Sequence, residues 1–187
     1  MTALKTRLRL YLVTDAVLCT TPDFVTTVRL AVANGVTMVQ LREKTATTAQ
    51  RVQMALALKE ALAGTGVPLV VNDDVAAAVA ADVDGAHIGQ GDMSIAQARA
   101  LLGPDKILGL SCETSQAVQA ADPALVDYLG LGPVFGTATK TDHAQPIGLD
   151  GLAQLVALSP LPNVAIGGLK ATHIGDVHKS GADGMAV

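Results

Sequence analysis

The chain has almost no aromatic residues: 2% in all, with no tryptophan, two tyrosines and two phenylalanines among 187 residues. A core without large rings must be assembled from Val, Leu, Ile and Ala, and small branched side chains of this kind suit close-packed parallel strands. Cysteine is nearly as scarce. Cys19 and Cys112 stand far apart and form no CxxC, so neither a zinc site nor a disulfide framework is indicated, and a reducing cytoplasm is the expected setting. There is no run of basic residues and the net charge is −4, which argues against nucleic acid or an anionic membrane as a partner. An anionic small molecule would need cations placed locally. The opening MTALKTRLRLYLVTD carries basic residues, but Asp15 interrupts its apolar run too early for an export signal. The longest uncharged stretch, Gly151 to Leu169, contains Pro160, Pro162, Asn163, Gly167 and Gly168. It therefore reads as helix, turn and strand and not as a membrane span.

What is present is apolar material, 50% of the chain, enough for one sizeable core; a single domain over residues 1–187 is expected. Short β-branched runs alternate with longer Ala-rich segments of helical character, the mark of consecutive βαβ units. Strands are expected at LRLYLVT, VTMVQLR, VPLVVN, GAHIG, KILGLS, YLGLG, NVAIGG and GMAV. Between these eight lie seven helices, the clearest from about Thr47 to Leu62, with Thr47, Thr48, Ser94 and Thr172 as N-cap or first-turn residues. The pattern predicts an α/β fold of the (β/α)8 TIM-barrel type, with an open doubly wound sheet as the alternative; the first βα turn lacks GxGxxG. Barrels of this kind usually need at least ~200 residues, so the chain is expected to end inside its eighth strand, without the last loop and closing helix.

Strands of a parallel barrel are buried on both sides, so polar residues at their C-terminal ends call for a reason. In MVQLREK, Gln40, Arg42 and Lys44 share one parity and form a polar, cationic wall; an ordinary solvated strand end is the competing explanation. VVNDD supplies Asn72 and two aspartates, of which Asp74 is the better helix cap, leaving Asp73 to meet Asp92 from GAHIGQGD above the barrel. Two such carboxylates suit Mg2+ on a diphosphate. His87 fits a satisfied structural group better than a catalyst. Ser111 offers a hydroxyl at the end of the fifth strand, and Cys112 reads as a small buried hydrophobe. The long GPVFGTATKTDHAQPIG segment carries Lys140 where barrel enzymes have loops that close over anions, or is simply a polar loop; His143 falls under the second reading. Gly167 and Gly168 let the backbone approach a phosphate, or make a plain turn.

Taken in order, YLVTD, QLREK, VNDD, HIGQGD, GPVFGTATK and IGG resemble the thiamine-phosphate synthases over essentially the whole chain. The resemblance implies a transferase that condenses hydroxymethylpyrimidine pyrophosphate with hydroxyethylthiazole phosphate, or its carboxylate, by a dissociative, Mg2+-assisted substitution. It also implies roles for individual residues. Gln40, Leu41, Arg42, Glu43, Lys44, Asn72, Ser111 and Lys140 would contact the pyrimidine pyrophosphate, with Lys140, Ser111 and Lys44 serving catalysis. Thr137, Ala138, Thr139 and Gly168 would bind the thiazole phosphate, and Asp73 and Asp92 would hold Mg2+. No protein nucleophile is needed. The rivals are a thiazole tautomerase of the same fold, whose members typically lack the carboxylate pair, and a barrel that binds thiamine phosphate without turnover. The expected partners are the two small substrates; a homo-oligomer is compatible with the sequence but not fixed by it.

Overall fold

Eight parallel strands close on themselves in sequence order, each bonded to the next and the eighth back to the first. The computed structural model describes residues 3–15, 18–19, 22–136 and 145–187. The strands are β1 (Leu10–Val13), β2 (Met38–Leu41), β3 (Leu69–Asn72), β4 (Gly85–Ile88), β5 (Ile107–Cys112), β6 (Tyr128–Leu131), β7 (Asn163–Ala165) and β8 (Gly184–Ala186). Every expected strand is present; seven are shorter than their apolar runs, because the flanking residues turn away into loops once the ladder ends, and β5 keeps six residues but begins and ends one position later than KILGLS. Closure excludes the open-sheet alternative.

Among the described residues, seven α-helices connect the strands: α2 (Phe24–Ala33), α3 (Thr48–Ala61), α4 (Val75–Ala80), α5 (Ile95–Leu102), α6 (Ser115–Ala120), α7 (Gly148–Leu158) and α8 (Ile174–Lys179). Their starts follow local chemistry. Thr47 and Gln50 form a reciprocal capping box at α3, Asp74 accepts from Ala77 N–H at α4, and Ser94 caps α5. Thr172 falls in a 3-10 turn, Ala171–His173, leading into α8. No helix among the described residues is long and apolar enough to cross a membrane. One further helix, α1 (Ala3–Arg7), precedes the first strand. It has no periodicity to announce it; Leu4 and Leu8 hold it by packing against the inner cluster at the N-terminal mouth of the barrel.

Alternate strand residues divide the apolar material into two layers. Outward residues such as Val39, Leu41, Val71, Ile88, Leu110 and Leu131 join the helices in one large core. Inward residues Tyr11, Met38, Val70, Tyr128, Val164 and Ala186 form a smaller cluster with Leu8. At the N-terminal rim, a single device recurs at every second strand. Thr37, Asp84, Asp127 and Asp183, each just ahead of an even strand, donate their backbone N–H to the carbonyl of Leu10, Leu69, Leu108 and Asn163 respectively, at 2.8–3.2 Å. Their side-chain oxygens accept the N–H of those same four residues, at 2.7–3.0 Å. The first residue of β1, β3 and β7 and the second of β5 thus have both backbone groups satisfied.

Candidate active site

The C-terminal ends of the strands surround a cavity of about 600 Å³. Gln40, Arg42, Lys44, Asn72, Asp73, Asp92, Ser111 and Gly168 all line it, although they come from five different strands or the loops after them. The parity argument for the second strand holds into its loop: β2 ends at Leu41, yet Arg42 and Lys44 still face the cavity with Gln40. Leu41 and Glu43 do not. The Leu41 side chain is buried in the outer layer against the helices, so any contact with a ligand in this cavity runs through its backbone. Glu43 accepts from the N–H and hydroxyl of Thr45 at 3.0 and 2.9 Å and shapes its own loop. Thr137, Ala138, Thr139, Lys140 and His143 lie outside the described residues.

The loop carrying Lys44 is held by a residue the sequence did not single out. Arg51, in the first turn of α3, donates to the carbonyls of Glu43 and Lys44 at 2.8 and 3.3 Å, and to the Asp74 carboxylate at 3.1 Å. One guanidinium therefore ties the β2 loop to the residue beside Asp73. Thr14 closes the loop's other end by accepting Arg42 N–H at 3.1 Å.

Asp73 and Asp92 meet as expected. Loss of water around Asp73, its hydrogen bond with Asp92 and the charge of that neighbour raise the Asp73 carboxyl from 3.8 to about 6, partly offset by Asn72 and Lys44. Asp73 has φ +62°, a left-handed conformation that aspartate tolerates better than most residues. Asp92 is oriented by Gly89 N–H at 2.7 Å. A like-charge pair next to a lysine is the arrangement that a divalent cation relieves, and a diphosphate and waters would complete its oxygen shell.

Gly167 and Gly168, at φ +101° and +63°, occupy positions that disfavour any side chain. Their neighbour is the backbone after β6: a Cβ on Gly167 would lie 2.6 Å from Pro133 Cα, and Phe135 N–H donates to the Gly167 carbonyl at 2.9 Å. Close packing of two loops already requires these glycines, and Gly168 still borders the cavity.

His87 is 5% exposed, with Nδ1 2.8 Å from the Tyr128 hydroxyl and Nε2 2.9 Å from Ser111 Oγ, which bears out its reading as a satisfied interior group. Its partners were not foreseen. The chain's two tyrosines both lie inside the barrel: Tyr11 and Tyr128 share a hydrogen bond of 2.7 Å, and Gln40 Nε2 donates to Tyr11 at 2.7 Å. The available signal was a pair of interior-parity tyrosines accompanied by mid-strand glycines, since Gly109 leaves space for the Tyr128 and His87 rings and Gly130 for His87. Cys112 is fully buried, and burial pushes its thiol up to about 12, as befits a small hydrophobe.

The thiamine monophosphate synthase family matches residues 10–187 of this chain. Relatives named thiamine-phosphate synthase include one from Psychrobacter sp., 52% identical over 183 residues, covering 96% of this chain and 85% of the relative. Another, from Chloroflexus aurantiacus, is 48% identical over 180 residues, covering 96% of this chain and 82% of its own length. Among solved structures, thiamine phosphate pyrophosphorylase from Pyrococcus furiosus superposes with a TM-score of 0.88 at 35% identity, over 98% of this chain and 87% of that one. A dihydrodipicolinate synthase from Oceanobacillus iheyensis, at 11% identity and a TM-score of 0.66, shares the fold alone. With the barrel, the cationic β2 loop and the carboxylate pair in place, these similarities assign the chain to the thiamine monophosphate synthase family.

Proposed function

We propose that the protein is a thiamine-phosphate synthase that joins hydroxymethylpyrimidine pyrophosphate to hydroxyethylthiazole phosphate, releasing pyrophosphate. The observation that carries this reading beyond resemblance is the Asp73–Asp92 pair beside Lys44 in the wall of the cavity, a site suited to a cation and a diphosphate together. Asp73 and Asp92 would hold Mg2+, which when bound neutralises charge on the diphosphate. Arg42 and Lys44 present their charges to the same group, stabilising it as it leaves with the electron pair of the breaking C–O bond. Gln40, Asn72 and Ser111 orient the pyrimidine ring, whose methylene carbon then accepts the lone pair of the thiazole nitrogen to form the new C–N bond. Lys140 and the 137–139 segment retain the roles the resemblance implies, contact with the pyrimidine pyrophosphate for the lysine and binding of the thiazole phosphate for the segment. No protein atom needs to bond to substrate, so placement and charge supply the catalysis.

The test is thiamine phosphate and pyrophosphate formation from both substrates with Mg2+, followed by mass. Asp73→Ala and Asp92→Ala should each lower the rate roughly 100-fold or more, and full turnover in either variant would contradict the cation assignment. Isomerisation of the thiazole phosphate alone would identify a tautomerase, and binding of thiamine phosphate without turnover a binding protein; the carboxylate pair favours the synthase over both.

A further inference from the structure

Two walls of the cavity, Gln40 on β2 and Ser111 on β5, are joined by a continuous row of hydrogen bonds that is buried from Gln40 to His87 and reaches the cavity again at His87 and Ser111. We propose that Tyr11, Tyr128 and His87 act as a polarity relay, so that the amide orientation of Gln40 dictates whether Ser111 offers a ligand a proton or a lone pair. The relay follows from counting protons. Gln40 Nε2 donates to Tyr11 at 2.7 Å. A phenol has one proton, so Tyr11 must pass its own to Tyr128 at 2.7 Å, and Tyr128 must pass its own to His87 Nδ1 at 2.8 Å. An accepting Nδ1 leaves the ring proton on Nε2, which donates to Ser111 Oγ at 2.9 Å and frees the Ser111 proton for the cavity. If the Gln40 amide is turned over, Oε1 accepts from Tyr11 and every bond reverses. Ser111 then donates inward and shows the cavity lone pairs. Any mixed arrangement sets two protons or two lone pairs against each other in a dry interior, where a mismatched polar group is strongly disfavoured.

Other observations support a built device. Burial raises both phenols above their ordinary range, so each remains a neutral, single-proton link. A Cβ on Gly109 would overlap the Tyr128 hydroxyl and His87 Nδ1, so the strand that ends in Ser111 is hollowed where the relay passes. The tyrosine rings meet edge-on at 6.0 Å, which fixes their hydroxyls in register.

The consequence is specificity at two points from one choice. An amino-substituted nitrogen heteroaromatic gives Gln40 Oε1 a donor and leaves Ser111 to read an acceptor. The corresponding oxo ring fits only after all four bonds of the row have reversed, so the resting orientation, with Gln40 Nε2 on Tyr11, favours the amino ring. Tyr11 and Tyr128, which lie below the cavity, and His87, which borders it, are thus positioning residues that raise discrimination between the two ring types. The choice of ligand rests on the pyrimidine reading of the cavity; the relay itself does not.

The experiment has two arms. In protein labelled with 15N-histidine, with the His87 signals identified by their loss in His87→Gln, the wild type at pH 8 should show a protonated Nε2 and an accepting Nδ1. Gln40→Glu, which can only accept at that position, should move the proton to Nδ1. An unmoved tautomer would overturn the relay. In the second arm, competition by the aminopyrimidine pyrophosphate and its oxo analogue is compared between wild type and Tyr128→Phe. Breaking the relay should reduce the preference for the amino ring by roughly tenfold, a change that lost stability alone would not produce; an unchanged preference would overturn the proposal. Failure of the wild type to bind either pyrimidine would count against the function proposed for the site, and the tautomer arm would still decide the relay.

Discussion

At the scale of single residues, the site is governed by which charges are left facing each other. Asp73 in the unfolded chain titrates near 3.8 and in the folded protein near 6, so between those values the folded state holds more protons than the unfolded one. The sign follows: its contribution to stability is full below 3.8 and is lost as pH rises through about 6. Asp73 remains exposed to the cavity, so solvent screens the effect. Metal-free protein should therefore show a denaturation midpoint that falls between about pH 4 and pH 6 through this group, and Asp92→Asn should flatten that slope by removing the like charge. Saturating Mg2+ should flatten it as well. A slope untouched by Asp92→Asn would assign the effect to other groups. The candidate residues here were legible because a charge at a strand end is conspicuous in an apolar sequence: Gln40, Arg42, Lys44, Asn72, Asp73, Asp92 and Ser111 all reach the cavity. Tyr11 and Tyr128 were not, because an aromatic residue inside a strand looks like ordinary core, and only the closed barrel brings residues 117 positions apart within hydrogen-bond distance.

At the scale of elements, the eight strands could be read from period and composition, but what fixes their starts could not. Thr37, Asp84, Asp127 and Asp183 look like loop residues in the sequence, and their shared role as clamps appears only once strand neighbours are known. Asp127 is the most heavily used. It accepts from Leu108 N–H at 2.7 Å and from Arg99 at 2.6 Å, while Arg99, 13% exposed, also donates to the carbonyls of Leu125, Gly103 and Lys106. One arginine thus joins α5, the start of β5 and the approach to β6. Removing Asp127 leaves Leu108 N–H unpaired and a mostly buried guanidinium short of its counter-charge, so Asp127→Ala should lower stability by about 2–4 kcal/mol in denaturant titration. Asp84→Ala, which lacks that arginine, should cost only about 1–3 kcal/mol. Equal losses would mean that the strand clamp alone matters. The α1 helix escaped the sequence reading for a related reason: five residues offer no period, and tertiary contact alone gives it a place.

Across the whole molecule, the two mouths of the barrel serve different ends, a division common to this architecture. The C-terminal mouth carries the polar side chains and the cavity, and the relay reaches down from it to Tyr11. The N-terminal mouth is sealed by Leu4 and Leu8 of the segment before β1, with the Lys5–Asp183 ion pair at 2.9 Å outside them. Leu8 is fully buried among Tyr11, Met38, Val70, Tyr128 and Val164, so the plug supports the lower end of the tyrosine pair. This makes the two mouths separable in energy but not wholly in function. Leu8→Ala should open a cavity beneath the relay and lower stability by about 2–5 kcal/mol. Binding of Mg2+ and pyrophosphate, which depends on groups at the opposite rim, should stay within about twofold of wild type. Discrimination between amino and oxo pyrimidines should fall, because Tyr11 gains room to turn its hydroxyl away from Tyr128. Lys5→Ala removes only a half-exposed charge from the same mouth and should leave both binding and discrimination unchanged, at a cost below about 1 kcal/mol. Measured together by calorimetry and competition, the two variants distinguish a plug that merely stabilises the barrel from one that also holds the relay in register. Loss of discrimination in Leu8→Ala with pyrophosphate binding intact would show that the packing at one mouth sets the selectivity of the other.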